Sequence, residues 1–541
     1  MTSQMPTRTA PPVPVQGAPP SGPTTLLPTP RRWWNRRATA LGVVAAATVT
    51  TGVLTGLGTP RGPVTPAQVL AAMVTGLGLG VLSGLLTRSR WAMVGVPTIF
   101  AVTFELVRRG TDGPMVDSLH MSEYGVLAFA TGRVFHGVVA LLPIILGAAL
   151  GAGVTRHRGR DQDQGQDRRQ DHRAASPRLR SRVGLGLRRG VATTTALALG
   201  ALAYGVATPG TTVADSDTAG RPLAGSVAEL TRVPVGGHDL SMMIRGDSAT
   251  LPVLLVLAGG PGGTELGAMR HHGQLLEHSF VVVTWDQRGT GKSYDQLEPT
   301  STLTLGNAVS DTIEVTRYLR TRFGQNKIYL LGQSWGTLLG VLAAQQQPDL
   351  FAAFIGSGQM VDPRLTDQLI YRDTVAWATK QGNTSLVATL TSIGEPPYAN
   401  LLDYESVLGH VSDVYPYDHT GNAEGRGEMG EGIFVPEYGL LDKVHNFAGF
   451  LDVFPVLYPQ LQQLDLRVSA SRLEVPVYLF QGAHETTSRS LLADQWFSAL
   501  VAPQKGRVTG ATSGHRALWE QPVEFATFMT QTVLAQTQGA S

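Results

Sequence analysis

One stretch of the chain has the residue types of a nucleophilic site. The apolar residues 329–331 run into Gly332-Gln333-Ser334-Trp335-Gly336, and an apolar helical pattern begins at Leu338. On a tight turn between a strand and a helix, a serine presents its hydroxyl clear of the backbone. Glycines on either side leave room for the strand and the helix to approach each other. The sequence therefore predicts Ser334 as a nucleophile.

A glycine-rich loop, Gly259-Gly260-Pro261-Gly262-Gly263, follows an apolar segment at 253–258. Backbone N–H groups in such a loop can stabilise the oxyanion that forms when a serine attacks a carbonyl. We predict the N–H groups of Gly260 and Trp335 as the two donors. A phosphate-binding loop is the alternative, but no Lys-Ser or Lys-Thr pair follows the glycines and Pro261 has no N–H.

Two later loops carry the residues that a serine nucleophile needs. Gln481-Gly482-Ala483-His484-Glu485 follows an apolar segment at 475–480, and Ser513-Gly514-His515 follows 507–509. In the chain order serine, acid, histidine, His515 is the predicted general base and Glu485 the acid that orients its imidazole. His484 is interpreted as structural.

The segments around these loops indicate an α/β sheet. Apolar runs alternate with helical patterns in the last 300 residues, as in a mostly parallel sheet covered by helices. The predicted strands are 230–235, 240–245, 253–258, 280–285, 327–331, 353–356, 475–480 and 507–509. An insertion at about 360–470, with helical patterns at 365–379 and 440–457, predicts a cap over the site. The whole domain is placed at 226–541.

The first part of the chain has a different composition. Residues 1–37 are rich in proline at first and end in arginines and two tryptophans, which indicates a disordered cytoplasmic tail. Five uncharged or nearly uncharged stretches follow, and each is interpreted as a transmembrane helix within 38–208. They lie at 38–58, 67–87, 91–107, 135–154 and 190–208. Small and polar residues at 209–225 indicate a linker.

Arginine placement predicts how these helices are oriented. The N-terminal flank and the polar segment 155–189 are rich in arginine, which is typical of cytoplasmic segments, and 155–189 is predicted to be a basic cytoplasmic loop. A start inside the cell and five crossings would place the α/β domain outside. Arg108 and Arg109 fall on the outer side and do not fit the rule.

Composition excludes several classes of function. The formal net charge is only +2, so we expect no nucleic-acid partner. The chain has no cysteine, so it can form no disulfide or thiolate metal site. We expect neither a metal nor an organic cofactor, because the serine chemistry needs none.

The chain resembles the α/β-hydrolase superfamily and, within it, the proline iminopeptidase-like serine peptidases. The resemblance covers about 228–535 and rests on the glycine loop 259–263, Asp286-Gln287-Arg288-Gly289 with the residues up to Ser293, the serine pentapeptide, Pro436-Glu437-Tyr438 and the His515 loop. Ala258 and Glu485 depart from it, since the family usually has histidine and aspartate there. The resemblance implies structural roles for Asp286 and Arg288.

The resemblance also implies an activity. In these peptidases carboxylates of the cap hold the amino terminus of the substrate, and Glu428, Glu431 and Glu437 are possible counterparts. We expect a membrane-anchored aminopeptidase that cleaves small peptides. An esterase or a lactonase is the alternative, since the same residues attack esters and amides. A non-catalytic binding or transport-linked protein also stays open. The expected partners are a small peptide or ester and the lipid bilayer, and the sequence does not predict the oligomeric state.

Overall fold

The structure is a computed structural model that describes residues 1–2, 30–117, 119–167, 179–217, 219–425 and 428–537. Most of the predicted N-terminal tail and the centre of the arginine-rich segment therefore lie outside the described residues. The described chain forms a helical N-terminal part and a domain built on one β-sheet, residues 227–537, which we call the sheet domain.

Within its described residues, the N-terminal part contains six α-helices. They are α1 (Pro30–Gly58), α2 (Pro66–Thr87), α3 (Ala92–Val107), α4 (Glu123–Phe129), α5 (Phe135–Asp167) and α6 (Leu179–Ala207). A π-helical turn joins α4 to α5 without a break. In the part of the chain that the structure describes, four helical segments are long and apolar enough to span a membrane: Arg37–Gly58, Pro66–Thr87, Glu123–Thr155 and Gly186–Ala207.

The third predicted span, at 91–107, is not one of these four segments. Residues 91–107 form α3, which has 16 residues and a length of about 24 Å at about 1.5 Å per residue. The helix ends in a charged turn, where Nη2 of Arg108 lies 2.6 Å from Oε1 of Glu105. α3 is therefore not among the four long apolar segments, and the five predicted membrane crossings stay a prediction.

The fourth predicted span, at 135–154, also differs from the prediction at both of its ends. The span predicted at 135–154 is the middle of a longer helical segment, because Ser122 caps a helix that begins at Glu123. At its other end α5 continues to Asp167, into the polar segment that the sequence indicates as a loop. The glutamines and arginines of that segment are good helix formers.

Small residues hold α2 and α5 together. A Cβ atom at Gly80 would lie 2.2 Å from the carbonyl oxygen of Ile144, and one at Gly151 would lie 2.3 Å from that of Val81. The two helix backbones are therefore in direct contact, as in membrane helices that pack through small residues.

The sheet domain contains all eight predicted strands. They are β1 (Val227–Val235), β2 (His238–Gly246), β3 (Val253–Leu257), β4 (Val281–Trp285), β5 (Ile328–Gln333), β6 (Phe351–Ser357), β7 (Val477–Gly482) and β8 (Lys505–Gly510). Their order is β1-β2-β4-β3-β5-β6-β7-β8, and only the pairs β1–β2 and β2–β4 are antiparallel. The predicted fold class, an eight-stranded and mostly parallel α/β sheet, is confirmed.

The central strands are buried on both faces. Along β3, Leu255 and Leu257 pack into the core on one side of the sheet, and Leu254 and Val256 pack into the core on the other side. Continuous apolar strands are expected where helices cover both faces of a parallel sheet. Because β3, β5, β7 and β8 run in the same direction, their carboxyl ends lie at the same edge of the sheet.

Helices cover both faces and the edge where the strands end. Before β6 the chain forms α7 (Leu266–His272), α8 (Gln274–Glu277), α9 (Leu305–Phe323) and α10 (Trp335–Gln346). Between β6 and β7 it forms α11 (Pro363–Lys380), α12 (Thr384–Ile393), α13 (Leu401–Leu408), α14 (Val411–Val414), α15 (Glu428–Ile433), α16 (Leu440–Leu457) and α17 (Leu466–Ser469). After β7 it forms α18 (Thr487–Ala499), α19 (Ala517–Glu520), α20 (Pro522–Phe528) and α21 (Ala535–Thr537).

The helical part and the sheet domain are in contact. Arg61, in the loop between α1 and α2, lies 3.0 Å from Oδ1 of Asp452 on α16 and 2.9 Å from Oε1 of Glu298. After α6, the N–H of Thr211 donates to the carbonyl of Pro436 at 2.9 Å. The segment predicted as a linker is thus held against the sheet domain.

Candidate active site

Ser334 lies on a strained turn between β5 and α10. Its φ is +51° and its ψ is −118°, and among the described residues Arg88 is the other non-glycine residue with a positive φ. Such a backbone conformation is costly and persists where the surrounding structure imposes it. A Cβ atom at Gly332 would lie 2.4 Å from the carbonyl oxygen of Gly336, so the turn requires glycine there. The position predicted for the nucleophile is thus held in an unusual geometry.

His515 and Glu485 meet at the ends of β8 and β7. Nδ1 of His515 lies 2.5 Å from Oε2 of Glu485, and Oε1 of the same carboxylate accepts the N–H of Thr486 at 2.8 Å. The Glu485 side chain is buried. Burial alone would raise its pKa, but the charge of His515, its hydrogen bond and the charge of Arg489 lower the pKa of Glu485 to about 2. The carboxylate therefore stays ionised and holds the imidazole through Nδ1.

Ser334 and His515 line the same pocket. In the conformation shown, Oγ of Ser334 lies 3.7 Å from Sδ of Met360 and makes no described hydrogen bond to His515. Catalytic hydrogen bonds are often formed only once a substrate is bound. The structure brings together the predicted serine, histidine and glutamate, and their catalytic roles stay predictions.

The two predicted oxyanion donors lie beside the serine. Gly260 has a φ of +115° and lines the pocket with Gly259 and Gly263. Trp335 is the first residue of α10, where a backbone N–H has no partner within its own helix. Gly260 lines the pocket and Trp335 directly follows Ser334, and the role of both groups toward an oxyanion is still a prediction.

Arg516 and Glu265, which the sequence did not predict as site residues, line the same pocket and form an ionic cluster with Glu424. Arg516 lies 3.2 Å from Oε1 of Glu265 and 2.7 Å from Oε1 of Glu424. Both carboxylates are buried, and burial raises the pKa of Glu265 while Arg516 opposes the shift. Two carboxylates share one guanidinium, so the cluster is negative when both are ionised. A sequence signal existed, since Arg516 follows His515 and Glu265 follows the glycine loop by two residues.

Of the three glutamates suggested by the family resemblance, the structure describes the side chain of Glu437. Oε1 of Glu437 accepts hydrogen bonds from Nε of Arg270 at 2.9 Å and from the hydroxyl of Thr212 at 3.0 Å, and Glu437 does not line the pocket. The side chains of Glu428 and Glu431 lie outside the described residues.

Asp286 and Arg288 support the loop beneath the site. Asp286 is buried and accepts the N–H of Lys292 at 2.8 Å and the hydroxyl of Thr264. Burial raises the pKa of Asp286 to about 6, although these hydrogen bonds oppose the shift. Arg288 binds both oxygens of Asp311 at 2.7 and 2.8 Å. These contacts fix the backbone, and neither side chain lines the pocket.

The pocket is a partly enclosed cavity of about 360 Å³. Its polar end holds Ser334, His515, Glu265 and Arg516, and its other walls are mostly apolar. Two of the apolar residues, Tyr124 and Leu127, belong to α4 in the helical N-terminal part. Among the described residues, no group of three or more histidines and carboxylates has the arrangement of a metal site.

A sequence profile of the alpha/beta hydrolase fold matches residues 252–522. The chain is 30% identical over 311 residues to the probable aminopeptidase YbaC of Bacillus subtilis, and the match covers 57% of this chain and 96% of that protein. It is 29% identical over 145 residues to the proline iminopeptidase of Lactobacillus delbrueckii subsp. bulgaricus, which covers 26% of this chain and 47% of that one.

Solved structures are also similar. A proline iminopeptidase-related protein from Thermus thermophilus is 21% identical, and the alignment covers 58% of this chain and all of that one, with a TM-score of 0.42.

Proposed function

Because the chain belongs to the alpha/beta hydrolase fold family, we propose that it is a serine hydrolase, and that it removes the N-terminal residue from short peptides. One observation carries the proposal: the imidazole of His515 is held by Glu485 at 2.5 Å and faces a pocket that it shares with the strained Ser334. A nucleophile, a base and an orienting acid in this relation are the requirements for acyl transfer.

The proposed reaction has two steps. The Ser334 side chain turns toward His515, gives its proton to the imidazole, and its oxygen bonds to the substrate carbonyl carbon. The N–H groups of Gly260 and Trp335 stabilise the oxyanion, and the imidazolium then protonates the leaving amine as the C–N bond breaks. Water, deprotonated by His515, attacks the acyl-enzyme, and the proton returns to the Ser334 oxygen as the acid is released.

The ionic cluster supports an amine as part of the substrate. Glu265 lines the pocket within reach of the glycine loop, and it competes with Glu424 for Arg516. A substrate ammonium group near Glu265 would complete the charge balance of the cluster. The relatives named aminopeptidase and proline iminopeptidase agree with this preference.

An experiment on peptide and ester substrates tests the proposal. For Glu265→Gln in the full-length protein, we expect kcat/KM for an aminoacyl anilide to fall about tenfold or more, since a charge-assisted hydrogen bond is lost. Glu437→Gln changes another buried glutamate, outside the pocket, and serves as the control. Hydrolysis of acyl esters with no turnover of anilides would contradict the peptidase proposal and support the esterase or lactonase alternative.

We also propose that the sheet domain lies outside the cell. The contacts of Arg61 and Thr211 place the α1–α2 loop and the end of α6 on the side of the sheet domain. The arginine-rich segment joins the opposite ends of α5 and α6, and positive loops remain in the cytoplasm. In this arrangement α3 crosses beside the four longer segments.

Cysteine labelling tests the orientation, because the chain has no cysteine of its own. In intact cells, an impermeant maleimide should react with Val468→Cys, since Val468 is 80% exposed on the sheet domain. Ser89→Cys, in the turn between α2 and α3, should react only after the cells are opened. The reverse pattern would overturn the proposed orientation.

A further inference from the structure

The catalytic pocket has a wall that belongs to the helical N-terminal part. Tyr124 and Leu127 lie three positions apart on α4, so they project from the same face of that helix. Both line the pocket that contains Ser334 and His515. The ring of Tyr124 packs edge-on against that of Phe450 on α16, with 5.7 Å between the ring centres.

α4 is fixed in this position by contacts with the helices between β6 and β7, which occupy the insertion predicted as a cap. The N–H of Tyr124 donates to Oε1 of Glu405 on α13 at 3.1 Å. At the start of α4 itself, the hydroxyl of Ser122 accepts the N–H of Gly125 at 3.2 Å. Tyr124 and Leu127 also pack against the buried core of the sheet domain. The wall is therefore an ordered part of the pocket.

The length of the helix explains how a membrane segment reaches the pocket. Glu123–Thr155 has 33 residues, which at about 1.5 Å per residue exceeds a hydrocarbon core of about 30 Å by some 20 Å. The surplus places α4 beyond the lipid, against the cap. The Bacillus subtilis relative is matched over 96% of its length by 57% of this chain, so it has no room for an equivalent of the whole helical part.

The pocket combines this apolar wall with the polar end at Ser334. Leu127, Tyr124 and Phe450 offer carbon surface on one side, and the cavity holds about 360 Å³. A small substrate bound at Ser334 would bury an apolar group against α4. This burial would stabilise the complex by about 25 cal/mol for each Å² of apolar surface removed from water.

We propose that α4 forms part of the substrate-binding site, and that Tyr124 and Leu127 select substrates with an apolar group next to the scissile bond. The inference rests on the proposed serine hydrolase function. It makes the membrane part of the chain a determinant of specificity as well as an anchor.

The test compares two changes at one position in the full-length protein. Leu127→Trp fills the pocket and Leu127→Ala enlarges it, and kcat/KM is measured for leucyl and alanyl anilides and for hexanoyl and acetyl esters. We expect Leu127→Trp to lower the ratio of large to small substrate about tenfold, as expected when a pocket loses the volume of a side chain, and Leu127→Ala to raise it. Opposite changes cannot come from general destabilisation.

Val126→Trp is the matched control, because Val126 lies on the same helix, is 47% exposed and does not line the pocket. It should leave the ratio unchanged. If both Leu127 variants leave the ratio as it is, or change it in the same direction, the inference is wrong. If only esters are hydrolysed, the peptidase proposal is contradicted, and the ratio of hexanoyl to acetyl ester still tests the role of α4. If neither anilides nor esters are hydrolysed, the serine hydrolase proposal and the inference about α4 are both overturned.

Discussion

Oε2 of Glu485 lies 2.5 Å from Nδ1 of His515, while Oε1 accepts the N–H of Thr486. Both oxygens of the carboxylate are thus engaged, and the extra methylene of a glutamate, compared with an aspartate, is accommodated within the loop after β7. This relation fixes the ring of His515, whose other nitrogen is then available toward the pocket.

Glu485→Gln should lower activity far more than stability. An amide in place of the carboxylate no longer stabilises the imidazolium or the right tautomer, and losses on the order of 10³–10⁴ in kcat follow from such a change. Steady-state kinetics on the best substrate measures the effect. Glu485→Asp keeps the charge and serves as the conservative control, which should retain more activity than the glutamine variant. Equal activity of wild type and Glu485→Gln would contradict the assigned role.

Stability should reveal the lowered pKa of Glu485. Its pKa falls from 4.5 to about 2 on folding, so its contribution to stability is complete above pH 4.5 and is lost as the pH falls toward 2. The difference in melting temperature between wild type and Glu485→Gln should therefore shrink as the pH falls from about 4.5 toward 2. A difference that grows as the pH falls would contradict the assigned ion pair.

Gly332→Ala should destabilise the sheet domain. The added methyl group would lie 2.4 Å from the carbonyl oxygen of Gly336, and overpacking of this kind costs about 1–3 kcal/mol. Thermal unfolding in detergent measures the change. Gly306→Ala, on α9, meets no atom within 4 Å and is the matched control, with no loss expected. If the two variants unfold at the same temperature, the close approach of β5 and α10 is not a constraint.

Arg61→Met should weaken the contact between the helical part and the cap in a pH-dependent way. Burial raises the pKa of Asp452 to about 6 although Arg61 opposes the shift, so removing Arg61 raises it further. An unpaired carboxylate is then costly at pH 8, by about 3–5 kcal/mol, and protonated at little cost at pH 5. We expect a larger loss of melting temperature at pH 8 than at pH 5. Glu298→Gln removes the exposed partner of Arg61 and should change little. A loss independent of pH would contradict the role given to Asp452.

Much of the sheet domain could be predicted because its signals are local. Each strand is an apolar run bounded by turn residues, and the turn at Ser334 needs glycines at 332 and 336 within five residues. His515 and Glu485 could be predicted because parallel strands end at one edge of a sheet, which fixes where their loops meet.

The remaining features depend on contacts between distant parts of the chain. Glu265, Glu424 and Arg516 form one cluster only after the sheet domain has folded. The positions of Glu265 and Arg516 beside the glycine loop and His515 are a signal that these two side chains are near the site, but they do not predict the contacts with Glu424. Tyr124 and Leu127 resemble any apolar residues near a membrane helix. The bounds of α3 agree with the predicted 91–107, but hydropathy does not show that Arg133 and Arg108 both bind Glu105 near its end.

The most direct test of the central claim is to label the nucleophile covalently. The full-length protein is treated with a fluorophosphonate, digested, and the modified residue is identified by mass spectrometry, with Ser334→Ala treated in parallel. We expect one adduct, on Ser334, together with loss of hydrolysis in the labelled protein and in the variant. Hydrolysis at the wild-type rate by Ser334→Ala, or an adduct on a different residue, would contradict the central claim.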